Sequence, residues 1–454
     1  MMSTPPPLPP ARVSSAPARW RGWLAWLVVL AAVTLAAVPG LSDRLLASTQ
    51  AGEEDEGLRP DFTIEMQSKI FVAAASLVKA GGEDIGKQME AERRQLHASS
   101  GANKLRLAVV DGWLKGQALE TAGVDSDLAK DAADFAGTMA DGPLPEERRA
   151  RLAARHGWFV ALAETASLAE DHALRQGVTA DASRLLMVLG GGVMLGLLLA
   201  AGGAVLLIMA ILRWRAGRLL PMRPVMPATR GEGQLLVESF ALYLVGFSVV
   251  PQLMRLLLPE GLRWISLCLV VLVLALAVWW PRLNGMPWAH WRGLMGWNTG
   301  RGFFREMGWG IVGWVAALPV IIVMLVLTGI LVKITGQPTE HPIQEWVTGG
   351  GGMVLAAFLL ASVWAPVSEE TMFRGALLGG LRGTWRGISW VLSALLMALI
   401  FALLHPQGPA AVPALMTLAV IFALLRAWRG SLVAPMAAHM LHNGLLVLML
   451  FLLT

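Results

Sequence analysis

GGMVLAAFLLASVWAPVSEETMFRGALLGGL, residues 351–381, is apolar over more than the length of a bilayer, yet it carries Glu369, Glu370 and Arg374 past its middle. About 20 predominantly apolar residues suffice to span the hydrocarbon core. An ionisable side chain inside such a segment is costly, so it marks a site before it marks a surface. The competing reading is plainer: two acids and an arginine at a solvated helix end.

Outward from this stretch, the same kind of segment recurs. Apolar runs lie at about 23–38, 185–212, 235–258, 262–280, 308–332, 346–381, 387–405, 410–427 and 432–453. Composition agrees, with 55% hydrophobic and only 15% charged residues over 454 positions. Soluble domains carry roughly 25% charged residues. The expectation is an all-α, multi-pass membrane helix bundle with eight or nine transmembrane helices. A disulfide scaffold is excluded by the single cysteine, Cys268. The 19 tryptophans against one tyrosine, Tyr243, fit anchoring at the bilayer interface.

Charge divides the chain. Residues 42–183 hold about three quarters of the 32 acidic residues and are net negative by about eight, although the whole chain is +5. Their Ala, Glu, Leu and Arg fall at helical spacing, and Asp141-Gly142-Pro143 breaks the pattern. An acidic helical insert follows, without nucleophile or ligand spacing; His97, His156 and His172 read as ordinary surface or core histidines. Arginines cluster in alternate loops: Arg12, Arg19 and Arg21; Arg213 to Arg230; Arg282 to Arg305; Arg382 and Arg386; Arg426 and Arg429. With nine helices all five clusters share one side, so the N-terminus is expected in the cytoplasm and the insert outside it. This basic excess is a topology signal and not a nucleic-acid footprint. The expected organisation is a Pro-rich leader and uncleaved first anchor (1–41), the extracytoplasmic insert (42–183), a membrane helix with a basic cytoplasmic loop (184–234), and a membrane core (235–454). Gly192 and Gly196, four apart, are expected to let helices pack closely.

Polar residues gather in three places of the core. Glu370 and Arg374 are four apart and share a helix face, while Glu369 points about 100° away and stays available for proton transfer. The second place is Phe401 to His405. The third is His439 to Asn443, again four apart, with His442 beside them. At about 1.5 Å per residue, Glu369 lies about 18 Å and His439 about 14 Å from their helix ends, whereas His405 comes out near 27 Å, about two turns too far.

Taken together, Glu369-Glu370-Thr371-Met372-Phe373-Arg374, Phe401 to His405 and His439 to Asn443 resemble the three motifs of the CPBP family (Abi, CAAX-protease and bacteriocin-processing proteins), which includes the Ras-converting CAAX endopeptidases. The resemblance covers about 235–453 and leaves the insert without a counterpart. It implies an intramembrane endopeptidase acting on a membrane-tethered peptide or protein, in a bacterial-type inner membrane. By this resemblance Glu369 and His405 would activate water, His439 and Asn443 would hold the oxyanion, Glu370 and Arg374 would keep the site's shape and charge, and Phe401 would pack under His405. No cofactor is the favoured reading; the alternative is Zn²⁺ on Glu369, His405 and His439. His442 could replace His439 in either scheme. Other function classes are a non-catalytic binding or immunity protein on the same fold, and a transporter. Ion transport is disfavoured by the apparent lack of ionisable groups in the first five apolar runs and of a repeated counterpart to the Gly349–Gly352 break.

Overall fold

The computed structural model describes residues 17–37, 62–81, 101–119, 126–219, 221–222, 224, 227, 229–259, 262, 264–335 and 351–453. The leader up to residue 16, much of 42–100 including His97, Arg223, and Gly349 lie outside the described residues. Within them the protein is helical and contains no strand. Each of the nine apolar runs contains a helix among the described residues. Seven are long and apolar enough to cross a membrane by length and composition, and the apolar helices Cys268–Leu283 and Trp390–Leu403 are shorter. The chain is an all-α, multi-pass membrane protein.

The helices are α1 (Arg19–Ala37), α2 (Phe62–Gly81), α3 (Gly101–Lys115), α4 (Ala129–Asp141), α5 (Glu146–His156), α6 (Trp158–Glu164) and α7 (Ala173–Arg215). Then come α8 (Arg230–Leu244, continuing through a π turn at Val245–Val249 to Leu257), α9 (Trp264–Leu283), α10 (Trp288–Met295) and α11 (Phe303–Thr335). The last four are α12 (Gly351–Leu359, continued to Thr384), α13 (Trp390–Leu403), α14 (Val412–Arg429) and α15 (Val433–Leu453). Contacts divide the chain into two compact units, residues 1–49 with 197–448, and residues 50–196 with 449–454.

In the first unit, α8 packs against α1, α9 and α12, and α14 against α11 and α13. Its core runs through Leu236, Phe240, Phe373, Leu377, Met397 and Phe401. Thr229 and Glu232 begin α8 with a reciprocal capping box, which satisfies two orphan amides of the first turn. Where helices touch without side chains between them, glycine is required. A Cβ on Gly203 would lie 2.1 Å from the Val315 carbonyl oxygen, and one on Gly310 would lie 2.2 Å from that of Ala434. Gly196 has open space around it, and Gly192 meets only the end of Met449. The close approach of α7 is therefore at Gly203, and the expected Gly192–Gly196 pair does not make it.

The first five apolar helices are not free of ionisable groups, which corrects the sequence reading. Glu238 of α8 is bonded by Arg21 at 2.5 Å and by Trp280 Nε1 at 2.8 Å. Glu306 of α11 takes a two-pronged contact from Arg429 at 2.6 and 2.8 Å. Partners neutralise these charges in place, and a paired charge is a poor step for a moving ion.

The second unit is built on α2 to α6 and the start of α7. Val109, Phe135, Leu152, Phe159 and Leu162 form its apolar centre. Beside it Arg106, Asp131, Asp134 and His156 are fully buried. Asp134 is paired with Arg148 and Arg151, and Asp131 with Arg155 at 2.7 Å and His156 at 3.1 Å.

Candidate active site

Helix α12 carries the acid pair on an irregular backbone. Pro366 has no N–H to give, and its ring crowds the carbonyl four residues back. The helix answers with a π turn at Leu360–Trp364, in which Ala365 N–H reaches back to the Leu360 carbonyl. One short α-helical piece, Ala365–Glu369, follows, and then a second π segment, Glu370–Leu377. Such turns inside α-helices gather at functional sites because they re-aim side chains and release backbone groups. The released Ala361 carbonyl is taken by Asn443 of α15, whose Nδ2 donates to it at 2.8 Å.

Across the bundle, α13 is capped by Ser389, which accepts from Leu392 N–H, and it ends at Leu403. His405 follows in a turn before Pro406. Its Nδ1 contacts the Phe401 carbonyl at 2.6 Å and its ring packs on Phe401 with centroids 4.2 Å apart. Since a carbonyl only accepts, Nδ1 carries the hydrogen, and in the neutral ring Nε2 is the bare lone pair. Gly430, at φ +71°, closes α14 and turns the chain into α15. That brings His439 to the acid pair, with its ring stacked on Phe422 at 4.9 Å.

Glu369 Oε2 lies 3.9 Å from His405 Nε2 and 3.9 Å from His439 Nε2. That oxygen is buried and has no hydrogen-bond partner, a costly condition that points to a bound molecule or a reacting proton. Glu370 is bound differently. Its Oε1 faces Arg374 Nη1 at 2.9 Å and His439 Nδ1 at 2.9 Å. Arg374 donates on to the Ala419 carbonyl at 3.2 Å and lies over the rings of Phe401 and Phe422 at 4.8 and 5.3 Å. The Glu370 and Arg374 side chains have no exposed surface, whereas Glu369 and His405 keep 16% and 21%. The reachable carboxylate is therefore Glu369.

The structure thus brings five of the six sequence-designated residues together. Asn443 is engaged with Ala361 instead of the acid pair. His442 turns toward α11, where Trp314 Nε1 donates to its Nδ1 at 3.4 Å; His439, and not His442, is the imidazole at the acids. The depth mismatch for His405 also disappears. Helix α13 begins at residue 390 and not 387, and α12 runs to Thr384 and not Leu381; at about 1.5 Å per residue the two changes together remove about 9 Å of the difference. Two partners had no sequence signal: Phe422, an aromatic in an apolar run, and the Ala419 carbonyl. Among the described residues no group of three or more His, Cys, Asp or Glu side chains is spaced to hold a metal ion. The Glu369, His405 and His439 set does not meet that spacing.

Residues 351–445 match the family model described as type II CAAX prenyl endopeptidase Rce1-like. No curated protein and no solved structure matches the chain. The matched segment holds both acids, both histidines at them, Arg374 and Asn443, so an all-helical, multi-pass membrane protein carries, over residues 351–445, a domain of the type II CAAX prenyl endopeptidase Rce1-like protease family.

Proposed function

We propose that this chain is an intramembrane endopeptidase that hydrolyses a peptide bond in a membrane-associated protein or peptide, with Glu369 as general base and no metal. The observation that carries the reading is Glu369 Oε2, partnerless and 3.9 Å from two imidazole nitrogens. A water at about 2.8 Å from each atom fits between groups so spaced. In this reading it gives one hydrogen bond to Glu369 and one to His405 Nε2, which orients its lone pair at the scissile carbonyl. Attack forms the carbon–oxygen bond and passes the water's proton to Glu369. Collapse of the tetrahedral intermediate breaks the carbon–nitrogen bond, and Glu369 returns that proton to the leaving amine.

His439 serves the oxyanion. Its Nδ1 is held by Glu370, so donation from Nε2 requires a proton on both nitrogens. Glu370 fixes the ring through Nδ1, with Nε2 3.9 Å from Glu369 Oε2. A donor aimed where negative charge develops is a strong contributor in a water-poor site. Asn443 acts at one remove, by filling the carbonyl that the π turn before Glu369 sets free. The substrate class follows from the matched family's name: a peptide ending in a lipidated cysteine and three further residues, presented from the bilayer. Orientation in a cytoplasmic membrane, with the acidic helical unit outside, rests on the distribution of arginines in the loops.

The test is cleavage of a quenched, prenylated CAAX peptide by the detergent-purified chain in H₂¹⁸O. One ¹⁸O in the new C-terminal carboxylate is expected from the wild type, and none is released as product by Glu369→Gln. Product without the label, or equal product from Glu369→Gln, overturns the mechanism.

A further inference from the structure

The acid pair sits on α12 and His439 on α15, and the turn between α10 and α11 is bonded to both helices. This turn, Gly296 to Asn298, lies outside the segment that matches the family model. Gly296 ends α10 in the left-handed region, at φ +85°. Toward α15, the Gly296 carbonyl accepts from Leu432 N–H at 3.0 Å. Asn298 Nδ2 donates to the Gly430 carbonyl at 3.1 Å, and Ser431 Oγ donates to the Asn298 carbonyl. These bonds hold residues 430–432, from which α15 starts, with His439 about two turns further on.

Toward α12 the link is Trp297. Its Nε1 donates to Thr371 Oγ1 at 3.2 Å. Thr371 passes its own hydroxyl hydrogen back to the Val367 carbonyl at 2.7 Å, and its oxygen keeps the capacity to accept from the indole. One hydroxyl thus joins Trp297 to both ends of the stretch 367–371 that holds Glu369 and Glu370. The backbone there changes character, because an α-helical piece ends at Glu369 and a π segment begins at Glu370. The main chains approach as well: a Cβ on Gly375 would lie 2.9 Å from the Met295 carbonyl oxygen. The turn is itself anchored. Arg292 Nε donates to the Trp297 carbonyl at 2.9 Å, and Arg426 Nη2, from α14, to the Leu294 carbonyl at 3.3 Å. Trp297 is 40% exposed, as a tryptophan at a bilayer interface is, where the N–H ordinarily faces the wet side. Here that N–H is spent on Thr371.

We propose that the Gly296–Asn298 turn is a clamp that sets the separation of α12 and α15, with Trp297 as the positioning residue for the acid pair. It keeps Glu370 Oε1 at 2.9 Å from His439 Nδ1 and Glu369 Oε2 at 3.9 Å from His439 Nε2. The clamp stands on these bonds; its effect on turnover rests on the hydrolytic reading.

The experiment uses the full-length chain in detergent. Trp297→Phe removes the donor and keeps a ring, Thr371→Val removes the hydroxyl and keeps the shape, and Thr371→Ser keeps the hydroxyl. Hydrogen–deuterium exchange reads the clamp without substrate: amides of 367–377 exchange faster in Trp297→Phe, while those of α13 keep the wild-type rate. On the prenylated quenched peptide, kcat falls about tenfold in Trp297→Phe and in Thr371→Val at nearly constant KM. A misplacement of about 1 Å costs about 10²-fold, and this one is smaller. Thr371→Ser recovers most of the loss. The double variant Trp297→Phe with Thr371→Val is no worse than Thr371→Val alone, because both remove the same bond. Wild-type exchange and kcat in Trp297→Phe make the indole an interface anchor only and overturn the proposal. So do losses that multiply in the double variant, a Thr371→Ser as slow as Thr371→Val, or faster exchange spread over the whole bundle. If instead Glu369→Gln cleaves like wild type, or the wild type does not cleave, the hydrolytic reading has failed, while the exchange result still decides the clamp.

Discussion

Glu369 and Glu370 are neighbours in sequence and opposites in environment. Glu370 is fixed through Oε1 by Arg374 and His439, whereas the Glu369 Oε2 stands 3.9 Å from both His405 and His439. The first difference was legible, since a four-residue spacing puts Glu370 against Arg374 on any helix. The His439 contact was not, because it joins residues 69 apart in sequence and depends on how α15 packs. Two variants follow. Arg374→Met strands a buried carboxylate, and removing one member of such a pair costs about 3–5 kcal/mol. The melting temperature in detergent falls sharply, and Glu370→Gln added to Arg374→Met restores part of it; no recovery would contradict the pairing. His439→Ala loses about 10²–10³ in kcat, the range for a lost oxyanion donor, while His442→Ala, facing Trp314, stays within a few-fold of wild type. The reverse ranking would move the oxyanion role to His442.

At the level of helices, hydropathy sufficed to place all nine apolar runs, because lipid and core both select apolar residues. It could not reveal where two backbones meet. Gly196 and Gly203 look alike in sequence, yet only Gly203 lies against a carbonyl oxygen, a fact set by rotation of α7 against α11. The same contact type at Gly310 joins α11 to α15, the helix that carries His439. Gly310→Ala is therefore expected to lower both melting temperature and activity, and Gly196→Ala neither. Equal tolerance of both substitutions, read by tryptophan fluorescence melts, would mean that α11 and α15 do not approach as described. The π turns were equally illegible, although Pro366 was their visible cue. The short helix α10, in a stretch read as loop, escaped notice because eight residues of mixed Trp and Arg carry no clear period.

Over the whole molecule, the two units stand on different physics. The bundle pairs its buried Glu238, Glu306 and Glu370 with arginines, and α1 is tied into it by Arg21 on Glu238 and by Trp26 stacked on Trp385 at 5.1 Å. The helical unit outside the matched family domain holds a buried His156, which the sequence marked as an ordinary histidine. Burial pushes the His156 pKa below its usual range, outweighing the hydrogen bond it donates to Asp131; Arg106 and Arg155 push the same way. A histidine kept neutral in the fold stabilises it fully above the unfolded pKa of about 6.5, and that contribution is lost as pH falls toward the lower folded value. Limited proteolysis of the intact protein should therefore cut within 101–164 more readily at pH 5 than at pH 7.5. A His156→Gln variant should flatten that dependence. Protection that grows as pH falls would reverse the sign and refute the assignment.

The central claim is that Glu369 takes the proton of an attacking water without a metal, and one assay bears on it most directly. Detergent-purified wild type and Glu369→Gln are given the same prenylated quenched peptide, each with and without a zinc chelator. The account predicts cleavage by the wild type that chelation leaves intact, and a loss of about 10²–10⁴ in kcat for Glu369→Gln, the span of general-base catalysis. Wild-type cleavage abolished by the chelator and restored by zinc, or undiminished cleavage by Glu369→Gln, would contradict it.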